Sequence, residues 1–410
     1  MNRVQIIGLG TGRPDLAERQ QAAIAAADIL VGASRHLALF ADHPAEKREI
    51  AAPISEVIAY IQSVMSDRQV VVLATGDPLF YGIGKTLVER LGAERVAIVP
   101  NVSVMAEAFA RIKASWTDAR FVSLHGRDAE DRLIHAIGGG QEKPAPVFLF
   151  TDRDHGPARA GEILAARAPG RWRLCVFERL GEKEEQITWL APQEAVSRSF
   201  AEPNAVILWP DATAAAPEPL RPGAPEDRYQ HEAGLITKPE IRAVTLSKLD
   251  LRPWHVLWDL GAASGSVGIE AGLFLTRGHV AAVEKEPVRA GHIRQNIQTF
   301  NAVNVTVHEL ALPQGMETLP DPQRIFAGGG GRDLPEILTH CAGRLPEGGR
   351  IVLNLVVVET LAQTLSNLDT LGFQTEVVQI QVARGAAMAG GRRMAGENPV
   401  FVVTGVKGRG

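Results

Sequence analysis

Cysteine is nearly absent. Cys175 and Cys341 are the only two in 410 residues. Two thiols build neither a four-thiolate zinc site nor a disulfide framework, so a reducing compartment is expected, with both cysteines as small buried apolar residues. Long hydrophobic runs are lacking too, and no stretch approaches the roughly 18 apolar residues of a membrane span. The opening MNRVQIIGLGTGRPD turns glycine-rich and charged too early for a signal peptide. A cytoplasmic protein with no membrane and no metal is expected. Neither sign of charge dominates, since 43 basic and 47 acidic residues leave a net charge of −4. Proteins that grip a phosphate backbone usually carry a basic excess. Nucleic acid is therefore disfavoured, and any anionic ligand must be held by a local cluster.

Glycine and proline are plentiful (40 and 25), aromatics sparse at 5%, and hydrophobic and charged contents (45% and 22%) ordinary for a globular chain. The composition suits loop-rich α/β domains, and the length suits two or three of them. The sharpest shift in composition is PDATAAAPEPLRPGAPEDR at 210–228, which has neither helical nor strand period. Its prolines favour an extended spacer. The chain is accordingly divided into a domain at 1–210, a Pro/Ala-rich linker at 211–231 and a domain at 232–410.

Upstream, strand-like runs at 4–7, 69–74, 95–99, 120–124, 146–150, 172–177 and 204–209 alternate with helical patterns. Alternation of this kind predicts a mainly parallel sheet, here in two sublobes of about 1–110 and 115–210. Downstream, strands at 255–260, 279–284, 304–308 and 350–355 again alternate with helices, and two late strands at 374–382 and 399–405 close the pattern as an antiparallel pair.

Two glycine loops stand out. Asp259-Leu260-Gly261-Ala262-Ala263-Ser264-Gly265-Ser266 lies between a predicted strand and a predicted helix. Small residues there let a backbone approach a ligand closely. The dinucleotide fingerprint would want glycine at 263, so a nicotinamide cofactor is disfavoured. Glu284 ends the next strand, where a carboxylate can accept hydrogen bonds from both ribose hydroxyls of an adenosyl group. The loop and this acid together point to S-adenosylmethionine. The second loop, Gly8-Leu9-Gly10-Thr11-Gly12, follows the opening strand but has Arg at position 13 instead of a third glycine. Gly84-Lys85-Thr86 has Leu79 where a triphosphate loop needs glycine, which rejects that reading.

In order along the C-terminal half come Thr237-Lys238-Pro239-Glu240-Ile241-Arg242, LWDLGAASGSVGIEA, the Glu284 strand end, IFAGGGG (325–331), GGRIVLN (348–354) and ENPVFVV (397–403). This half resembles the CbiT-like precorrin methyltransferase and decarboxylase domain over nearly all of 232–407. That family's usual GAGTG is GAASG here, and Leu310, beside Glu309, stands where it commonly shows Asp. In the N-terminal half, VQIIGLGTG, ADILVGASRHL (27–37), LATGDPLFYGIG (73–84), VPNVSVMAEAFARI (99–112) and SLHGR (123–127) follow the order of the CbiE-like branch of the tetrapyrrole methylases. The Gly-Pro-Gly of that branch is Gly10-Thr11-Gly12 here, and its Pro-Gly-Ile-Ser is Pro100-Asn101-Val102-Ser103. Fused in this order, the two resemble the decarboxylating precorrin methyltransferases of cobalamin biosynthesis.

The resemblance implies a two-lobed tetrapyrrole methylase fold followed by a class I, Rossmann-like methyltransferase fold. It implies methylation of precorrin-6B at positions 5 and 15, with loss of carbon dioxide from an acetate side chain to give precorrin-8. Two S-adenosylmethionine sites per chain are expected. One takes Gly10, Gly76, Asp77, Pro78, Pro100, Val102 and Ser103. The other takes Thr237, Asp259, Gly261, Ala263, Gly265, Ser266, Glu284, Lys285, Ala311 and Gly328. The substrate is rich in carboxylates, so Lys238 is a candidate substrate contact. Arg384, Arg392 and Arg393, in the glycine-rich 384–399, form a candidate mobile clamp. No general acid or base is assigned, and His255 and His308 read as core or edge residues. A homo-oligomer acting on a small-molecule tetrapyrrole is expected. The alternatives are an S-adenosylmethionine-dependent RNA methyltransferase, which needs a basic groove, and a non-catalytic tetrapyrrole carrier.

Overall fold

The computed structural model describes residues 3–12, 14–51, 53–124, 129–138, 144–232, 234–328 and 331–408. Positions 125–127 of SLHGR and 329–330 of IFAGGGG lie outside them. The chain divides into two compact units, one of residues 1–129 and 145–212, the other of residues 130–144 and 213–410.

The first unit holds two sheets. β1 (Val4–Gly8), β2 (Ile29–Gly32), β3 (Glu46–Glu49), β4 (Val70–Ala74) and β5 (Val96–Val99) form an all-parallel sheet in the order β3-β2-β4-β1-β5. Its central strands are apolar because helices cover both faces. Ile6, Val31 and Val72 pack on one side with Ile61, and Ile7, Leu30 and Leu73 on the other with Ile24. β3 is Glu-Lys-Arg-Glu and wholly exposed, a charged edge that discourages further pairing.

The second sheet departs from the parallel expectation. It consists of β6 (Arg120–Ser123), β7 (Val147–Phe150), β8 (Trp172–Glu178), β9 (Gln186–Leu190) and β10 (Asn204–Pro210) in the order β6-β7-β10-β8-β9. Only β6 and β7 run parallel, and the other three pairs are antiparallel. The link from β8 to β9 holds only residues 179–185, too short for a parallel crossover.

The second unit carries β11 (Val256–Leu260), β12 (His279–Val283), β13 (Val305–His308), β14 (Arg324–Ala327), β15 (Arg350–Leu355) and β16 (Phe373–Ile380). After them come β17 (Ala383–Met388), β18 (Gly391–Gly396) and β19 (Val400–Lys407). Seven of these make one sheet in the order β13-β12-β11-β14-β15-β19-β16, in which β19 is antiparallel to both neighbours. The connection leaves β11 toward β12 on one side and β14 toward β15 on the other, which opens a crevice at the strand ends. β17 and β18 form a separate antiparallel hairpin.

The proline-rich stretch is not a free spacer along its whole length. Glu270, with no solvent exposure, pairs with the equally buried Arg242 at 2.9 Å and accepts from Gly223 N–H, Ala224 N–H and Tyr229 Oη–H. A buried carboxylate must have its lone pairs satisfied, and residues 223–229 do this. They are thereby held on the second unit.

Candidate functional site

In the first unit the loop after β1 and the turn after β4 lie side by side because the two strands are hydrogen-bonded neighbours. Leu9 N–H donates to Ala74 O at 2.8 Å, and Gly76 N–H to Gly10 O at 3.0 Å. Gly10, Gly12 and Gly76 all have positive φ (81°, 63° and 57°), which glycine adopts without steric cost. The packing is tight enough that a Cβ on Gly8 would lie 1.8 Å from Gly76 O, and one on Gly76 would lie 2.9 Å from Ser103 Cα. Asp77 Oδ1 accepts from Leu79 N–H at 2.8 Å, an Asx turn that holds Gly76-Asp77-Pro78 in shape. Ser103 caps the helix Val104–Arg111, its Oγ accepting from Ala106 N–H at 3.2 Å. Gly10, Gly76, Asp77, Pro78, Pro100, Val102 and Ser103 are thus brought to one end of the parallel sheet.

Two residues outside the expected donor set stitch this end together. Asn101 Nδ2 donates to Asp15 O at 2.9 Å and to Gly8 O at 3.3 Å. The buried Gln20 donates to Gly8 O at 3.2 Å. A glutamine on the buried side of a helix was the available signal, since buried amides require partners.

In the second unit Gly261-Ala262-Ala263-Ser264-Gly265 joins β11 to the helix Ser266–Gly272. Gly261 N–H and Ala262 N–H both donate to Val283 O at 3.0 Å, and Gly328 N–H donates to Leu260 O at 3.1 Å. The loop is therefore tied to the ends of β12 and β14. Gly261, Ala263 and Gly265 are all left-handed, with φ of 69°, 50° and 72°. Glu284, 3% exposed, accepts from Ala263 N–H at 2.9 Å through Oε2 and from Glu286 N–H at 3.1 Å through Oε1. Arg289 Nη1 stands 3.6 Å from Oε1. Asn296, which the sequence reading also missed, donates from inside the unit to Ser264 O at 2.9 Å.

Asp259 is fully buried. Its Oδ2 accepts from Gly268 N–H at 2.8 Å, and among the described residues its Oδ1 has no partner. Burial pushes its pKa up to about 7; the Gly268 bond opposes the shift and the Glu284 charge adds to it.

Thr237 and Lys238 precede the helix Pro239–Leu249. Thr237 O accepts from Arg242 Nη1, and Lys238 Nζ pairs with Glu226 at 2.7 Å. Lys285, Ala311 and Gly328 are exposed around the loop, while Leu310 is half-buried and packs into the core, close over Gly315. The expected mobile clamp is instead the β17–β18 hairpin, closed by Ala389-Gly390 with Gly390 at φ 83°. Arg384 is bound to Glu240 at 2.7 Å and to Glu397 at 2.7 Å, whereas Arg392 and Arg393 are exposed on β18. His255 is a buried structural residue whose Nδ1 accepts from Arg252 N–H at 3.0 Å, and burial lowers its pKa to about 4.

These residues fit an adenosyl methyl donor. Glu284 has one backbone donor on each oxygen and keeps lone pairs for a diol. Asp259 keeps one oxygen without a partner among the described residues. The fold and the loop systems define a methyltransferase built from two unlike units. The precorrin methyltransferase domain model matches residues 227–407, and the tetrapyrrole (corrin/porphyrin) methylase model matches residues 3–193. A precorrin-6Y C(5,15)-methyltransferase [decarboxylating] from Sinorhizobium sp is 33% identical over 402 residues, covering 97% of this chain and 94% of its own. One of the same description from Mycobacterium tuberculosis is 30% identical over 377 residues, 90% of each chain. A probable cobalt-precorrin-6B C(15)-methyltransferase (decarboxylating) from Sulfolobus acidocaldarius is 34% identical over 188 residues, 45% of this chain and 98% of its own. The chain belongs to the family of decarboxylating precorrin-6Y C(5,15)-methyltransferases. Its methyl donor is S-adenosylmethionine.

Proposed function

We propose that the protein methylates precorrin-6B at C5 and C15 and removes carbon dioxide from an acetate side chain, giving precorrin-8 in cobalamin biosynthesis. The observation that carries this reading is the chain-long match to relatives described by both methylations and the decarboxylation. The donor binds at two sites, one per unit. Gly10, Gly76–Pro78, Pro100, Val102 and Ser103 form the first. Thr237, Asp259, Gly261, Ala263, Gly265, Ser266, Glu284, Lys285, Ala311 and Gly328 form the second.

When bound, S-adenosylmethionine supplies a methyl carbon made electrophilic by its sulfonium charge. The protein's task is to hold an electron-rich ring carbon at attack distance from that methyl. Glu284 orients the ribose, the left-handed loop brings backbone close to the donor, and the Asp259 carboxyl offers a buried acceptor. The protonated conjugated macrocycle serves as the electron sink for decarboxylation, so no strong base is required of the protein. We assign decarboxylation and one methylation to the second unit and the other methylation to the first. A relative less than half this chain's length whose description joins C(15) methylation to decarboxylation supports placing both steps on one unit. The reaction runs in the cytoplasm on a small molecule, without nucleic acid. A homo-oligomer is supported by the hairpin, where Met388 and Met394 are 54% and 67% exposed; sedimentation of the full chain tests it.

The direct test follows product mass from precorrin-6B and labelled donor. Glu284→Ala in the full chain should lose one methyl and keep the other. Retention of both methyls by that variant would contradict the assignment.

A further inference from the structure

Ser34, Arg35 and His36 follow β2 directly and have no part in the donor loops. β2 pairs with β4 in parallel, Val31 opposite Val72, so these residues stand beside Thr75, which opens the Gly76-Asp77-Pro78 turn. Three polar groups converge there. Arg35 Nη2 donates to Thr75 Oγ1 at 3.1 Å, His36 Nε2 lies 2.9 Å from the same oxygen, and Arg35 Nε lies 3.4 Å from His36 Nε2. Burial, followed by the neighbouring Arg35 charge, lowers the His36 pKa to about 4, so the imidazole is neutral. Glu49, at the end of β3, accepts from Ser34 Oγ. Among the described residues Arg35 thus has only neutral partners. Arg384 in the second unit, by contrast, is clasped by two glutamates.

The surroundings specify what this cation would meet. Leu79 and Val102 are 54% and 51% exposed. Leu79 N–H is bonded to Asp77, and Val102 O would lie 3.2 Å from a Cβ on Gly76, so both flank the same turn. An apolar rim with one uncompensated guanidinium suits a flat ring bearing carboxylates at its edge. Resting on the reading that the first unit methylates the tetrapyrrole, we propose that Arg35, oriented by Thr75 and His36, anchors one peripheral carboxylate of the substrate. The anchor fixes the rotation of the ring in its own plane and so selects the carbon presented to the donor. A guanidinium binds a carboxylate through two parallel N–H bonds. Orientation by two neutral partners reduces the side-chain entropy lost on binding. His36 is a positioning residue in this arrangement.

The test uses the full chain with precorrin-6B, following each methyl by product mass. Arg35→Gln should raise KM for the first-unit methylation about tenfold or more with kcat within about twofold, and Arg35→Lys should recover part of the loss. His36→Gln should raise KM less than Arg35→Gln. Donor affinity, measured by calorimetry with S-adenosylhomocysteine, should stay unchanged in all three, which also verifies folding. An unchanged KM in Arg35→Gln overturns the anchor, as does loss of kcat alone. Gly76→Ala separates this failure from failure of the underlying reading. If that variant still adds both methyls, the first unit is not a methylation site and both ideas fall. If it loses one methyl while Arg35→Gln keeps a normal KM, only the anchor falls.

Discussion

The two proposed donor sites are built by different means. In the first unit the proposed site is made of main chain: Gly8, Gly76 and Asn101 lie so close that no Cβ fits between Gly8 and Gly76 O. In the second unit the proposed site centres on two carboxylates, Asp259 on β11 and Glu284 just past β12, beside a loop that tolerates Ala at a left-handed position. A backbone site fails through added volume and is indifferent to pH. A carboxylate site fails through lost acceptors and responds to pH.

The largest effect is expected at Glu284. Glu284→Ala should weaken donor binding to the second unit by about 2–4 kcal/mol, through two lost charge-assisted bonds, and leave the first unit untouched. Calorimetry on the full chain reads this directly. Gly8→Ala should do the opposite. Its Cβ collides with backbone, which costs the first unit about 1–3 kcal/mol in a denaturant melt and abolishes donor binding there alone.

The pH dependence sharpens the contrast. Asp259 binds its proton more tightly folded, at about 7 against an ordinary 3.8, so its contribution to stability is full below pH 3.8 and is lost as pH rises through 7. The slope in that window reaches about 1.4 kcal/mol per pH unit. Asp259→Asn should flatten it in melts of the second unit's transition, with no change in the first. Ala263→Gly should stabilise the second unit by about 0.5–1 kcal/mol, because glycine relieves a left-handed Cβ at some cost in chain entropy. Asp77→Ala should have a similarly small effect of opposite sign, a loss of about 0.5–1 kcal/mol in the first unit, since it removes one turn bond.

The legible parts of the chain were those written in local pattern. β11, the glycine loop, β12 and Glu284 announce themselves by apolar runs, small residues and an acid at a strand end. The antiparallel pair of late strands was legible for the same reason. Tertiary pairings were not. The anchoring of residues 223–229 depends on Glu270 and Arg242 meeting from two helices, and nothing in the Pro/Ala composition encodes that. The hairpin read as a mobile loop because its strands are almost wholly exposed and lack apolar alternation. β9 was missed because its burial is confined to one end. Gln20 and Asn101 act through main-chain oxygens, contacts that have no spacing rule.

One chain is proposed to carry two donor sites of unlike construction. Calorimetric titration of the full-length protein with S-adenosylhomocysteine tests it most directly. Two sites per chain are expected in the wild type, falling to one in Glu284→Ala and to the complementary one in Gly8→Ala. A stoichiometry of one in the folded wild type, or loss of the same site in both variants, would contradict the account.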